Sequence, residues 1–339
     1  MKMATLSKIE KKALKLVKKK EFKLFSLADE IREKNKGKEV TYVVNRNINY
    51  TNKCGLNCSF CSFSKEKNYI LSTDEILEKV EEAKEKNASE VCLQGGINKD
   101  LKRDYYFELV EKIKENYNIH LHAFSPQEIN HIAEDSIKET LVKLKRKGLD
   151  SIPGTAAEML VEDVRQEICP NKISSKKWVE IIKTAHKLGI PTTATMLYGH
   201  EESWMDRIRH ILKIKKIQEE TGGFTEFIPL PFLPGNNKLG KQNNGTLSIE
   251  DFKVIALSRV LLKDQIDNIQ ASWLKLGKED AKKSLYFGAN DLGGTLMEEN
   301  ISKSTGLVEE IPSKNDMHQL IREADRKPVE RTTLYDKIG

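Results

Sequence analysis

The feature that most constrains this 339-residue chain is its regular alternation of β-branched, strand-like stretches with amphipathic helical ones. Strand-like segments fall at residues 41–48, 90–94, 119–124, around Ser151, and at 191–197, 224–229, 268–272 and 289–292. Helix signals lie between them: Ser72 with Glu75 makes a capping box, and Ser174 or Ser175 opens a later helix. The stretch after Pro126 reads as one helix to Gly148. Such alternation favours parallel strands joined by crossover helices. Eight repeats predict an α/β fold closed as a (β/α)8 TIM-type barrel, which needs about 250 residues. The barrel is expected over residues 39–300. Residues 1–38 should form an N-terminal helical extension, and 301–339 a C-terminal extension packing on the barrel, with a helix near 314–326.

In such barrels the active site lies where the strands end. Those ends carry polar or glycine-rich clusters here: Asn49 and Tyr50, Gln94-Gly95-Gly96, His122 to Ser125, Gly154-Thr155, Tyr198 to His200, Glu226, Gln270 with Trp273, and Asn290-Asp291. Each alone can be an ordinary turn. Their shared position is the stronger signal.

The first strand runs into Cys54-Gly55-Leu56-Asn57-Cys58-Ser59-Phe60-Cys61, a C-x3-C-x2-C spacing with no fourth cysteine nearby. Structural zinc sites close with four ligands, and most cubane iron–sulfur clusters also take four cysteines. Three thiolates on a short loop leave one metal position open for a substrate or cofactor. A zinc site completed by His120, His122 or His200 is the alternative, but zinc pairs are normally spaced otherwise. Phe60 can shield a cluster or pack on an adenine.

This motif resembles that of the radical S-adenosylmethionine (SAM) family. The resemblance implies a [4Fe–4S] cluster on Cys54, Cys58 and Cys61, with SAM on the fourth iron. One electron would then cleave SAM to methionine and a 5′-deoxyadenosyl radical. Gln94, Gly95 and Gly96 match the segment that meets SAM; Glu158 and Arg165 could pair with its ribose, ammonium or carboxylate. Asn45 to Asn52 and the segments at 122–126, 151–158, 224–230 and 288–295 resemble a subgroup of deazaflavin and menaquinone biosynthesis. The implied activity is a transferase that cleaves the L-tyrosine side chain and adds the 4-hydroxybenzyl group to 5-amino-6-(D-ribitylamino)uracil. The implied partners are FO synthase subunit 1, which closes the deazaflavin ring, and a reductant such as ferredoxin or flavodoxin. Candidate catalytic residues are His122, Tyr50, His200 and Asp291. Asn290 and the Thr155 segment favour this activity over aminofutalosine synthase; a non-catalytic iron–sulfur protein is a further alternative.

Formal net charge is +6 with 32% charged residues of both signs, too dilute for a nucleic-acid footprint. The basic run from Lys8 to Lys20 has helical spacing and reads as a solvated helix. No long apolar stretch or signal peptide is evident, so a cytoplasmic protein without membrane contact is expected. Cys92 should lie in the core, and a disulfide is not expected in a reducing compartment.

Overall fold

In the computed structural model, residues 6–65, 67–134, 136–298, 300, 304 and 311–338 are described. The alternation seen in the sequence closes on itself. The first strand is split at Val44 into β1 (Glu39–Val43) and β2 (Asn45–Ile48). β2 pairs in parallel with β3 (Glu90–Leu93), and β3 with β4 (His120–Ala123). Parallel bridges carry the wall onward, from His122 to Ser151 and from Ile152 to Thr192. β5 (Thr192–Tyr198) pairs with β6 (Phe224–Pro231). Phe227 then bridges Ile269, Gln270 bridges Asp291, and β7 (Asp291–Gly294) returns to β1. The result is the expected (β/α)8 barrel. Its fourth wall position is brief because Pro153, which has no N–H to donate, follows Ile152.

Helices cover the outside with apolar faces. The helix Lys8–Lys19 opens with a Ser7–Glu10 capping box and buries Ala13, Leu16 and Val17. It packs on the helix Trp204–Thr221, and Glu21–Lys36 packs on Ser248–Leu262. The capping boxes at Ser72–Glu75 and Ser125–Glu128 are formed, and Ser174 caps its helix. The stretch after Pro126 differs from expectation. It forms two helices, Pro126–Ile132 and Ile137–Lys147, because Ser136 accepts a bond from the Glu139 N–H and starts a new one.

The tail contributes a strand as well as a helix. After the helix Lys314–Glu323, β8 (Lys327–Glu330) pairs in parallel with β1, from Glu39 opposite Lys327 to Tyr42 opposite Glu330. This strand has no apolar alternation. It forms because β1 precedes the stretch that meets β3 and so offers an open edge, where Pro328 is tolerated. Beyond β8 the chain turns inward, bringing Arg331 and Thr333 to the lumen. The expected boundary at 300/301 adjoins residues 301–303, which lie outside the described ones.

Candidate active site

The three cysteines follow β2 on a loop pinned from several sides. Gly55 N–H donates to Ile97 O at 3.1 Å, Ser59 N–H to Ile168 O at 3.0 Å and Leu239 N–H to Ser59 O at 2.9 Å. Asn57 takes φ 52°, the left-handed region that Asn tolerates. All three thiols are free, partly exposed, and line one cavity of about 410 Å³. Burial pushes the Cys58 thiol up to about 12 and that of Cys61 above its usual value. Bound iron would reverse this, because a coordinating thiol gives up its proton. Among the described residues, no three His, Cys, Asp or Glu side chains gather closely enough for one metal ion. In a cubane cluster each cysteine meets a different iron. The histidines of the zinc alternative are held elsewhere: His120 and His122 on Ser151 Oγ at 2.7 and 2.6 Å, His200 on Leu197 O at 3.1 Å. The soft three-sulfur donor set therefore fits a [4Fe–4S] cluster with one open iron.

Beside the loop, the end of β3 is fixed from below. Glu128, the carboxylate of the Ser125 capping box, accepts from Gly95 N–H at 3.0 Å and Tyr50 OH at 2.6 Å. A Cβ on Gly96 would stand 2.5 Å from Lys53 O and 2.9 Å from Cys54 Cβ; one on Gly95 would stand 2.4 Å from the Tyr50 ring. Only glycine lets this backbone pass so close to the cysteine loop. Gln94 Nε2 donates to Thr155 Oγ1 at 2.8 Å. Opposite, Glu158 sits at φ 45° and pairs with Lys172, whose Nζ is 5.5 Å from the Phe60 ring centre. Burial disfavours both charges, but each partner outweighs it. Glu158 is held below the usual carboxylate range, and Lys172 above the usual amine range. Phe60, Glu158 and Lys172 all line the cavity.

The same cavity continues down the lumen to a polar floor that includes Asn45, Asn47, Glu90, Cys92, His122, Glu226, Gln270, Arg331 and Thr333. Burial pushes the His122 imidazole down to about 4, so it is neutral at pH 7. Arg331 grips Asp291 with two bonds, Nε to Oδ2 at 2.6 Å and Nη2 to Oδ1 at 3.1 Å. Glu226 is 3.7 Å from Arg331 Nη2 and accepts from Tyr335 OH at 2.8 Å.

Several expectations need correction. Arg165 lies behind the wall and does not line the cavity. Its Nε, Nη1 and Nη2 donate to the carbonyls of Ile173, Ala157 and Ala156 at 2.7, 2.5 and 2.8 Å. It shapes the turn carrying Glu158, and Lys172 is the cation that reaches the cavity. Tyr50 is buried under Gly95, His200 is tied to Glu202 at 3.0 Å, and Asp291 stands one layer back behind Arg331; none lines the cavity. Asn290 is likewise set back, accepting from Arg259 Nη2 at 2.5 Å. Cys92 is buried as expected but faces the lumen. Lys172, Arg331, Thr333 and Tyr335 carried no signal in the sequence. Glu128 carried one, as the third residue of a capping box opened by Ser125.

Family models place this geometry. One described as the radical SAM superfamily matches residues 48–214, and one described as the CofH/MqnC C-terminal region matches 221–338. A 5-amino-6-(D-ribitylamino)uracil–L-tyrosine 4-hydroxyphenyl transferase of Methanococcoides burtonii is 50% identical, covering 96% of this chain and 94% of its own. Its namesake in Archaeoglobus fulgidus is 51% identical over 93% of each chain. That of Methanocaldococcus jannaschii is 49% identical over 96% of each. Among solved structures, methylornithine synthase superposes with TM-score 0.75 at 19% identity, over 96% of this chain and 95% of its own. A maturase of the [FeFe]-hydrogenase gives 0.73 at 16%, over 96% and 73%. These two likenesses concern the fold alone. The chain belongs to the radical SAM superfamily and, within it, to the family of the 5-amino-6-(D-ribitylamino)uracil–L-tyrosine 4-hydroxyphenyl transferases.

Proposed function

We propose that the chain performs the reaction its relatives are named for, moving the 4-hydroxybenzyl group of L-tyrosine onto 5-amino-6-(D-ribitylamino)uracil as a step towards a deazaflavin. The carrying observation is that a single cavity is lined both by the three cysteines and, below them, by a polar floor. Cys54, Cys58 and Cys61 would hold a [4Fe–4S] cluster. Gln94, Gly95, Gly96, Glu158, Lys172 and Phe60 would seat SAM beside it. When bound, cluster and SAM together supply a carbon radical able to take a hydrogen atom from a substrate.

The residues of the chain then position and shelter. Trp273, fixed by its Nε1 donating to Gly294 O at 2.8 Å, joins Phe60, Phe63 and Phe232 around the cavity. Such apolar walls keep water from a reactive fragment. Asn45, Asn47, His122, Thr193, Thr195 and Gln270 offer donors and acceptors to a uracil and its ribityl chain. A substrate group left unpaired there would cost about 1–3 kcal/mol, so the polar floor selects a polar substrate. Among the described residues no helix is long and apolar enough to cross a membrane. A cytoplasmic setting, an external one-electron donor such as ferredoxin or flavodoxin, and FO synthase subunit 1 as the enzyme acting next belong to the same reading.

The test is anaerobic reconstitution with iron and sulfide, followed by reductant, SAM, L-tyrosine and the ribitylaminouracil. Tyrosine-dependent 5′-deoxyadenosine together with a hydroxybenzyl–uracil adduct, read by mass spectrometry, is the expected result. Deoxyadenosine without adduct would return the substrate question to the menaquinone-pathway enzymes.

A further inference from the structure

The floor of the cavity gathers carboxylates around one guanidinium. Three carboxylates face the lumen or sit directly behind it: Glu226 on β6, Asp291 on β7 and Glu90 on β3. Arg331 is the guanidinium among them, and its fork is engaged by Asp291. Its remaining nitrogen, Nη1, donates to Thr332 O at 3.1 Å. His122, the histidine in the cavity lining, is neutral at pH 7. Among the described residues, Glu226 receives a loose approach from Arg331 at 3.7 Å and a hydrogen bond from Tyr335 OH to Oε2. Both of these contacts are made to Oε2, and Glu226 lines the cavity. On the neighbouring strand the Gln270 Oε1 is buried with no partner, and Gln270 lines the same cavity.

A buried carboxylate whose guanidinium is engaged by Asp291, beside a buried amide oxygen with no partner, describes a place for a cation with several N–H bonds. An ammonium group meets both demands; a hydroxyl or an aromatic amine can donate but cannot offset the charge. Resting on the functional reading above, L-tyrosine brings one ammonium into the cavity. We propose that Glu226, together with Gln270, forms the subsite for the α-ammonium of the amino-acid substrate, and that Glu226 accepts one proton from it. The step is balanced within the site. The N–H bond breaks heterolytically, its electron pair stays on nitrogen, and the proton passes to a Glu226 oxygen. A neutral amine and a neutral carboxylic acid remain, and no oxidant or reductant is used. The neutral nitrogen then has a lone pair with which to stabilise the Cα fragment when the Cα–Cβ bond breaks.

The electrostatics support this role. Burial, with the nearby Asp291 and Glu90 charges, raises the Glu226 carboxyl to about 7 against the opposing pull of Arg331. A base in that range exchanges protons readily at neutral pH. The C-terminal tail is then a working part of the site, because its Arg331 and Tyr335 hold Glu226 in place.

The experiment compares binding of L-tyrosine and its des-amino analogue, 3-(4-hydroxyphenyl)propanoate, to the cluster-reconstituted full chain by anaerobic calorimetry from pH 5.5 to 8.5. Wild type should prefer tyrosine roughly 10- to 100-fold, the range of a buried charge-assisted hydrogen bond. The preference should grow as pH rises through about 7 while Glu226 ionises. Glu226→Gln, whose carbonyl can still accept from Tyr335, should lose the preference and its pH dependence while keeping iron content and SAM affinity. Glu226→Asp should recover part of both. In turnover, the acidic limb of the kcat/KM profile should vanish in Glu226→Gln. Equal discrimination by wild type and Glu226→Gln would overturn the proposal and leave the functional reading intact. Failure of wild type to bind tyrosine at all would overturn both.

Discussion

The two ends of the cavity are built in opposite ways. At the cysteine end the three sulfurs come from eight consecutive residues, and the shelf beside them from Gln94-Gly95-Gly96. At the floor the groups come from the whole chain: Asn45, Glu90, His122, Glu226, Gln270 and Arg331. The cysteine loop is partly exposed and held by backbone bonds to Ile97, Ile168 and Leu239. The floor is buried and held by charge, with Arg331 and Asp291 both nearly inaccessible. A local motif can present a reactive cofactor on any barrel of this kind. The floor exists only when the barrel has closed and the tail has entered it.

The largest effect expected on this contrast is at the cysteine end. Cys58→Ala should abolish SAM cleavage and lower bound iron, with the circular dichroism of the folded barrel unchanged. Cys92→Ala, in the same cavity but away from the loop, should leave iron content as it was. Full SAM cleavage by Cys58→Ala, or a proportional iron loss in Cys92→Ala, would break the division of labour.

A smaller effect, on stability instead of chemistry, is expected at the floor. Arg331→Leu leaves Asp291 buried without its counter-charge, which costs about 3–5 kcal/mol. Urea unfolding should show that loss, and the double variant Arg331→Leu/Asp291→Leu should regain most of it, since two apolar groups replace the pair. A single variant as stable as wild type would mean the tail does not hold the floor.

The smallest effect is a pH dependence with two opposite signs. The His122 value of about 4 in the folded chain lies below the usual 6.5. The unfolded chain thus binds more protons as pH falls below about 6.5, and stability drops from there towards pH 4. Glu226 goes the other way: its folded value of about 7 lies above the usual 4.5, so stability drops as pH rises from about 4.5 towards 7. His122→Gln should flatten the acidic decline and Glu226→Gln the decline towards neutrality. Matching slopes in unfolding measurements from pH 4 to 8 would remove the floor's electrostatic account.

Sequence alone determined what repeats or clusters locally. Eight strand–helix units set the barrel because periodicity and capping, as at Ser72–Glu75, act within a few residues. Cys54, Cys58 and Cys61 declared themselves by spacing, and Gly95-Gly96 by ending a strand. The tertiary structure decided which polar groups face inward. Arg165 and Lys172 are both cations near Glu158 in sequence, yet one is spent on three carbonyls and the other reaches the cavity. Tyr50 and His200 follow their strands and Asp291 opens β7, yet all three turn into the wall, since side-chain direction there depends on partners such as Glu128, Glu202 and Arg331. The tail strand could not be read from Lys327-Pro328-Val329-Glu330, because its pairing is dictated by an open edge of β1 almost 290 residues earlier. Local pattern can name a motif; only packing decides where a buried charge finds its partner.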